Sequence, residues 1–179
     1  MKLSKLFSLM KQHKSVQIRQ GRAAQWVGDS SSLYPIYNLP HLYESAIQEL
    51  LGVSDDAWDK FKYEEYETME YSEEDNIGDG MYQLDRLKIT ICWSGKELIP
   101  LVGGGKIFFI QAKYLKPFDD IGLLSFWYRE EPLRDGVIGV NEGMCLAGLV
   151  MPIVVDDRLF VETLYRIYDL TKRQGGEAQ

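Results

Sequence analysis

Two stretches of this chain run through the same order of patterns, and that repetition constrains its folding more than any single motif. Residues 106–155 begin with an apolar strand, Lys106-Ile107-Phe108-Phe109-Ile110, and pass into a short Ala112-Lys113-Tyr114-Leu115-Lys116-Pro117-Phe118 segment. Two further strand-like runs follow, closing on Leu149-Val150-Met151-Pro152-Ile153. Residues 3–40 have the same outline of amphipathic helix, strand, turn and strand, ending in Leu39-Pro40. The repeated outline predicts a duplicated half-domain.

Periodicity supplies the elements. Leu3, Leu6, Phe7 and Met10 fall at i, i+3, i+4 and i+7, one stripe of a helix running to about His13, with Lys5, Ser8 and Gln12 opposite. Val16 and Ile18 alternate with Gln17 and Arg19, Gly21 breaks the run, and Ala24, Trp26 and Asp29 bracket the second arm of a hairpin. Residues 29–32 make a turn, and Leu33-Tyr34-Pro35-Ile36-Tyr37 predicts a third strand whose proline implies an edge or a bulge. Ala46, Ile47, Leu50 and Leu51 have helical spacing ended by Gly52, and Ser54 is placed to cap a short helix through Trp58 and Phe61, with Asp55 and Asp56 in its first turn.

Further along, residues 86–93 predict one strand, and residues 98–102 and 106–110 two more around Gly103-Gly104-Gly105. Residues 123–128 read as a strand, and residues 137–140 and 144–150 as a final hairpin across Asn141-Glu142-Gly143. Asp156 and Asp157 open a terminal helix with two apolar rows, Phe160, Leu164, Ile167 and Val161, Tyr165, Tyr168, ending in Lys172 and Arg173 and a frayed tail. Hairpins intermixed with helices, without strict βαβ alternation, make the class α+β. The expected organisation is one domain over residues 1–155 carrying an acidic insertion at 62–80, with residues 156–179 as a C-terminal helix packed on it.

A chain of 179 residues removes about 70% of its unfolded surface from water and needs no disulfide or metal to hold a core. Cys92 and Cys145 sit in apolar runs without metal-binding spacing, so both read as buried thiols in a reducing compartment. The apolar run at the start is too short and interrupted for a signal peptide, and nowhere are there about 18 uninterrupted apolar residues. The expectation is a cytoplasmic protein with no membrane partner.

The formal charge of −7 is concentrated: eight acidic and no basic residues lie between Glu64 and Asp79, leaving the remainder nearly balanced. Such a run reads either as a solvated loop or as a docking surface for a basic partner, with Tyr63, Tyr66 and Tyr71 as apolar anchors. The alternating ligands and closing glutamate of a calcium loop are missing.

Candidate chemistry is sparse. Gly103-Gly104-Gly105-Lys106 lacks phosphate-loop spacing and is followed by Phe108-Phe109 in a strand, so it reads as a tight strand connection. His13 and His41 have no Cys, Asp or Glu at metal spacing and read as exposed cap or turn residues. Asp119-Asp120 and Asp156-Asp157 read as turn and capping pairs, Ser30-Ser31-Ser32 lacks a nucleophile elbow, and no dinucleotide fingerprint is present. Trp26, Trp93 and Trp127 read as sheet residues and Trp58 as a surface anchor. Phe126, Tyr128 and Arg129 only weakly suggest a base-stacking row. No catalytic residue, metal site or cofactor is expected.

Tyr114-Leu115 and Met151-Pro152 carry a resemblance. Residues 106–155 resemble the last module of DNA sliding clamps, where an apolar strand leads into a helix beginning Tyr-Leu and the module closes on a Met-Pro strand; through residues 3–40 the likeness extends loosely to about half the chain. Separately, Trp26-Val27-Gly28-Asp29, Leu33-Tyr34-Pro35-Ile36-Tyr37 and Leu39-Pro40 are similar to uncharacterised proteins of phages and prophages. The clamp resemblance implies an internally duplicated domain, with two helices on one side of antiparallel sheets and those helices facing DNA. It implies phosphate contacts from Lys2, Lys5, Lys11 and Lys14 on the first helix and Lys113 and Lys116 on the second, non-specific and salt-sensitive.

This chain has room for one such module, so a ring would need several copies. The helices between residues 42 and 61, the acidic segment and the terminal helix have no clamp counterpart. The terminal helix, through Tyr165 and Tyr168, would cover the sheet or bind a partner or second copy. The resulting expectation is a non-enzymatic phage or prophage accessory protein acting through protein contacts and non-specific DNA binding. The alternatives are a phage structural or assembly protein that binds only proteins, and an enzyme whose site has no recognisable motif.

Overall fold

The protein is described from a computed structural model covering residues 1–69, 81–119, 121–131 and 134–176. Helix α1 (Leu3–His13) ends at Lys14, whose left-handed backbone (φ 50°) turns the chain directly into β1 (Ser15–Gln20). β2 (Gln25–Asp29) and β3 (Ser32–Ile36) continue the meander, as the alternation of Val16, Ile18 and Trp26 predicts. Helix α2 (Glu44–Leu51) stops at Gly52, φ 60°, and α3 (Asp55–Trp58) follows Ser54. Next come β4 (Lys62–Tyr66), β5 (Met81–Arg86), β6 (Ile91–Trp93), β7 (Lys96–Gly103) and β8 (Lys106–Gln111). A 3₁₀ helix (Ala112–Phe118) leads to β9 (Leu124–Glu131), β10 (Arg134–Glu142) and β11 (Cys145–Val150), and α4 (Arg158–Gly176) closes the chain.

The sheet order is β4-β1-β2-β3-β11-β10-β9-β5-β7-β6, with β8 on the remaining side of β7. β4 runs parallel to β1, and the other pairs are antiparallel. Where β3 meets β11, Leu33 faces Leu149 and Ser32 faces Val150. Outward from that pair the order is the same on both sides: a helix followed by three antiparallel strands, β1-β2-β3 on one and β9-β10-β11 on the other. The class is α+β, as expected.

The main core lies on one face of this sheet. Leu6, Leu9 and Met10 of α1, Ile47 and Leu51 of α2 and Leu115 and Phe118 of the 3₁₀ helix pack on Val16, Ile18, Val27, Tyr34, Ile138, Val140 and Val150. Each such aliphatic or aromatic side chain contributes about 2 kcal/mol when removed from water. Alternate strand residues, Trp26, Val137, Leu146 and Leu149, form a smaller cluster, with Met69 packed against it. A third cluster joins Phe160, Val161 and Leu164 of α4 to Leu98, Ile107 and Phe109, so α4 does cover sheet surface.

Several expectations are corrected. Pro35 is not on an edge strand, since β3 lies between β2 and β11. β11 pairs only with Ser32 and Leu33, however, so beyond them β3 has a ladder on one side alone and its proline is tolerated. Residues 86–93 are not one strand. β5 pairs with β9 through Leu84 and switches to β7 at Asp85, and β6 is a separate arm formed by a turn at Ser94 and Gly95, both at positive φ. The Tyr114 helix is of the 3₁₀ type; Pro117 lies within it.

The expected acidic insertion begins as edge strand β4, not loop, and residues 70–80 with Tyr71 lie outside the described residues. Cys92 and Cys145 are exposed and free, because each falls on an outward position of a strand near a hairpin turn. Ile167 is 53% exposed and does not share the packed row of Phe160 and Leu164. Trp58 is half-buried, stacked on Phe61 and donating Nε1–H to Glu44 Oε1 at 2.8 Å.

Candidate functional site

The two helices carrying the predicted lysines are neighbours. Lys2 N–H donates to Pro117 O at 2.7 Å, tying the start of α1 to the end of the 3₁₀ helix. The chain has no carboxylate before Asp29, nor between Lys106 and Phe118, so this pair of helices carries only positive formal charge. Lys2, Lys5, Lys11, Lys14 and Lys116 are exposed. Lys11 is partly engaged: Nζ donates to Leu51 O at 3.2 Å, at the carbonyl end of α2.

Lys113 is placed differently. It is half-buried, with Nζ 2.7 Å from His13 Nε2 and 5.1 Å from the Tyr114 ring centroid. Burial holds its ammonium below the usual lysine range, Lys96 adding to the effect and Asp29 opposing it. An ammonium has no acceptor capacity, so His13 Nε2 must accept and Nδ1–H donates to Asp29 Oδ2. Asp29, 4% exposed, also takes Ser31 N–H at 2.9 Å and Ser32 Oγ–H at 3.0 Å on Oδ1, and the Tyr114 hydroxyl lies 3.5 Å from Oδ2. Tyr34 OH donates to Tyr114 O at 2.7 Å, and burial pushes the pKa of both phenols up, that of Tyr114 to about 12.

This chain of contacts links the end of α1, the β2–β3 turn and the 3₁₀ helix, which are far apart in sequence. Sequence spacing does not reveal it, because His13 and Asp29 form no motif; the one sequence signal is Asp29 opening a serine turn directly after a strand-like run. His13 ends α1 and His41 lies in the connection before α2, as expected, but neither is exposed. His41 is half-buried between Gln25 Nε2 at 2.6 Å and Glu65 Oε1 at 3.3 Å.

The predicted partner-binding tyrosines are not brought together. Tyr63 and Tyr66 lie on β4 at one end of the strand order, where Tyr63 OH donates to Glu65 Oε2 at 2.9 Å and Arg19 lies 4.3 Å over the Tyr66 ring. Tyr165 and Tyr168 lie on α4, towards the other end. Tyr168 OH donates to Asp85 Oδ2 at 2.6 Å, holding that carboxyl below its ordinary range with help from Lys172. Phe126 is buried and Tyr128 stacks on Phe108, so the Phe126, Tyr128, Arg129 row is not an open stacking platform.

Among the described residues no group of three or more His, Cys, Asp or Glu is arranged to hold a metal, and no helix is long and apolar enough to cross a membrane. No protein-family model, curated protein or solved structure matches the chain.

Proposed function

We propose that this protein is a non-enzymatic accessory protein built as a clamp-like duplicated domain, whose α1 and 3₁₀ helix together hold the phosphate backbone of nucleic acid without reading its sequence. The observation that carries the reading is the carboxylate-free helix pair, set in a chain of net charge −7. A locally positive face on an acidic protein steers a polyanion to that face. The palindromic strand order about β3 and β11 supports the duplication, and the contact between the start of α1 and the end of the 3₁₀ helix supports a shared helical side. The phage setting follows only from the likeness of residues 26–40 to phage proteins.

Lys5, Lys14 and Lys116 are the principal phosphate contacts. Lys113 is committed to His13 and serves to position the 3₁₀ helix. Three contacts predict that log K falls with log salt at a slope of about −3. Fluorescence anisotropy of a labelled duplex across a salt series measures it. Binding that is absent at low salt, or indifferent to salt, rejects the proposal in favour of a protein that binds only proteins.

A further inference from the structure

The last turn of α1, the end of α2 and the short α3 enclose a hollow of about 340 Å³ lined by Lys11, Lys14, Val53, Ser54, Lys60 and Phe61. Three lysines converge there and no carboxylate lines it, although Asp55, Asp56 and Asp59 are close in sequence. The simplest role for lysines at such a place is to offset the carbonyl ends of helices. α1 and α2 both end at this hollow, each presenting about half a negative charge, and Lys11 Nζ does donate to Leu51 O. Two half charges offset about one ammonium of the three, which leaves a surplus of about two positive charges. Among the described residues the side chains of Lys14 and Lys60 have no hydrogen-bond or ion-pair partner.

The polar wall is equally uncommitted. Ser54 stands at the N-cap position of α3 without a side-chain cap bond, so its hydroxyl is not spent on the helix. Val53 and Phe61 supply apolar surface beside it.

We propose that this hollow binds a phosphomonoester. Such a group carries about −1.5 to −2 at neutral pH, which matches the surplus, whereas the single charge of a phosphodiester leaves one ammonium uncompensated. The volume is at the lower end of small-ligand sites, about 300 Å³ upward, enough for a phosphate and the group attached to it. The inference shares Lys14 with the non-specific reading but is separable from it, because Lys60 has no part in that reading.

The test is a ¹⁵N-detected titration of the full chain with inorganic phosphate, against chloride at matched ionic strength. Saturable shifts at the Gly52, Ser54 and Lys60 amides are expected. Lys60→Gln should weaken phosphate binding about fivefold while leaving salt-sensitive duplex retention unchanged. No saturable shift, or equal phosphate affinity in Lys60→Gln, overturns the proposal. Absence of duplex retention in the unsubstituted protein, with its saturable phosphate shifts present, would count against the proposed function alone. Competition with 5′-phosphorylated and 5′-hydroxyl oligonucleotides identifies the source: stronger displacement by the former assigns the site to strand ends, equal displacement to small phosphorylated molecules.

Discussion

Asp29→Asn perturbs the one buried carboxylate that the α1 end, the serine turn and the 3₁₀ helix share. The asparagine carbonyl can still accept from Ser31 N–H and Ser32 Oγ–H, which leaves its amide group facing His13 Nδ1. His13 must then switch tautomer, and its Nε2–H points at the Lys113 ammonium 2.7 Å away, donor against donor. One hydrogen bond to a charged group is lost, worth about 1.5–3 kcal/mol, and a half-buried donor is left unpaired at about 1 kcal/mol or more. The sum, about 3 kcal/mol, is a large part of a total stability of about 5–15 kcal/mol. Urea unfolding followed by far-ultraviolet circular dichroism should show it as a lower midpoint at unchanged slope, with Tm lowered by roughly 6–12 °C. Adding Lys113→Met removes the opposing donor and should recover at least about 1 kcal/mol, a coupling that distant sites do not show. A loss below about 1 kcal/mol, or strictly additive effects, would refute the tautomer and linkage argued here.

Alkaline conditions test the same network from the phenol side. Tyr114 is held protonated to about pH 12 by burial, while a tyrosine in an unfolded chain ionises near 10. Stability is therefore complete below pH 10 and falls as pH rises towards 12, by on the order of 2 kcal/mol; urea midpoints at pH 9 and 11 measure this, and Tyr114→Phe should lessen the fall. Gly28→Ala would place a Cβ 1.9 Å from Ser32 O, against backbone that pairs β2 with β3; a cost above about 3 kcal/mol is expected in the same urea assay. Cys92 and Cys145 should both react promptly with a thiol reagent in the native protein, and a thiol that waits for denaturant would contradict their exposure.

Local signals carried much of the fold. The 3.6-residue stripe of Leu3, Leu6 and Met10, the stop at Gly52 and the glycine turn at Gly104 and Gly105 each depend on near neighbours, and each element lies where they imply. Asp157 caps α4 as expected, its Oδ1 accepting Phe160 N–H at 2.9 Å. Tertiary context decides the remainder. Pro35 is tolerated because a partner strand ends early, and residues 86–93 are divided because β5 changes neighbours at Asp85. The apolar setting of Cys92 and Cys145 in sequence did not reveal which face of their strands looks outward.

The candidate site was half visible for the same reason. Its lysines could be named from helix position and resemblance, but Asp29, His13 and Lys113 meet only through folding, across 16 and 100 residues of chain. The contact that removes Lys113 from the phosphate-binding set is likewise long-range.

Amide chemical-shift mapping with a short duplex at low salt tests the central claim most directly, because it locates the bound polyanion on the fold. The account predicts perturbations concentrated in residues 2–14 and 112–118, fading as salt is added and lost in the Lys5→Glu, Lys116→Glu variant. Perturbations centred on β4 or α4, or none at any salt concentration, would contradict it.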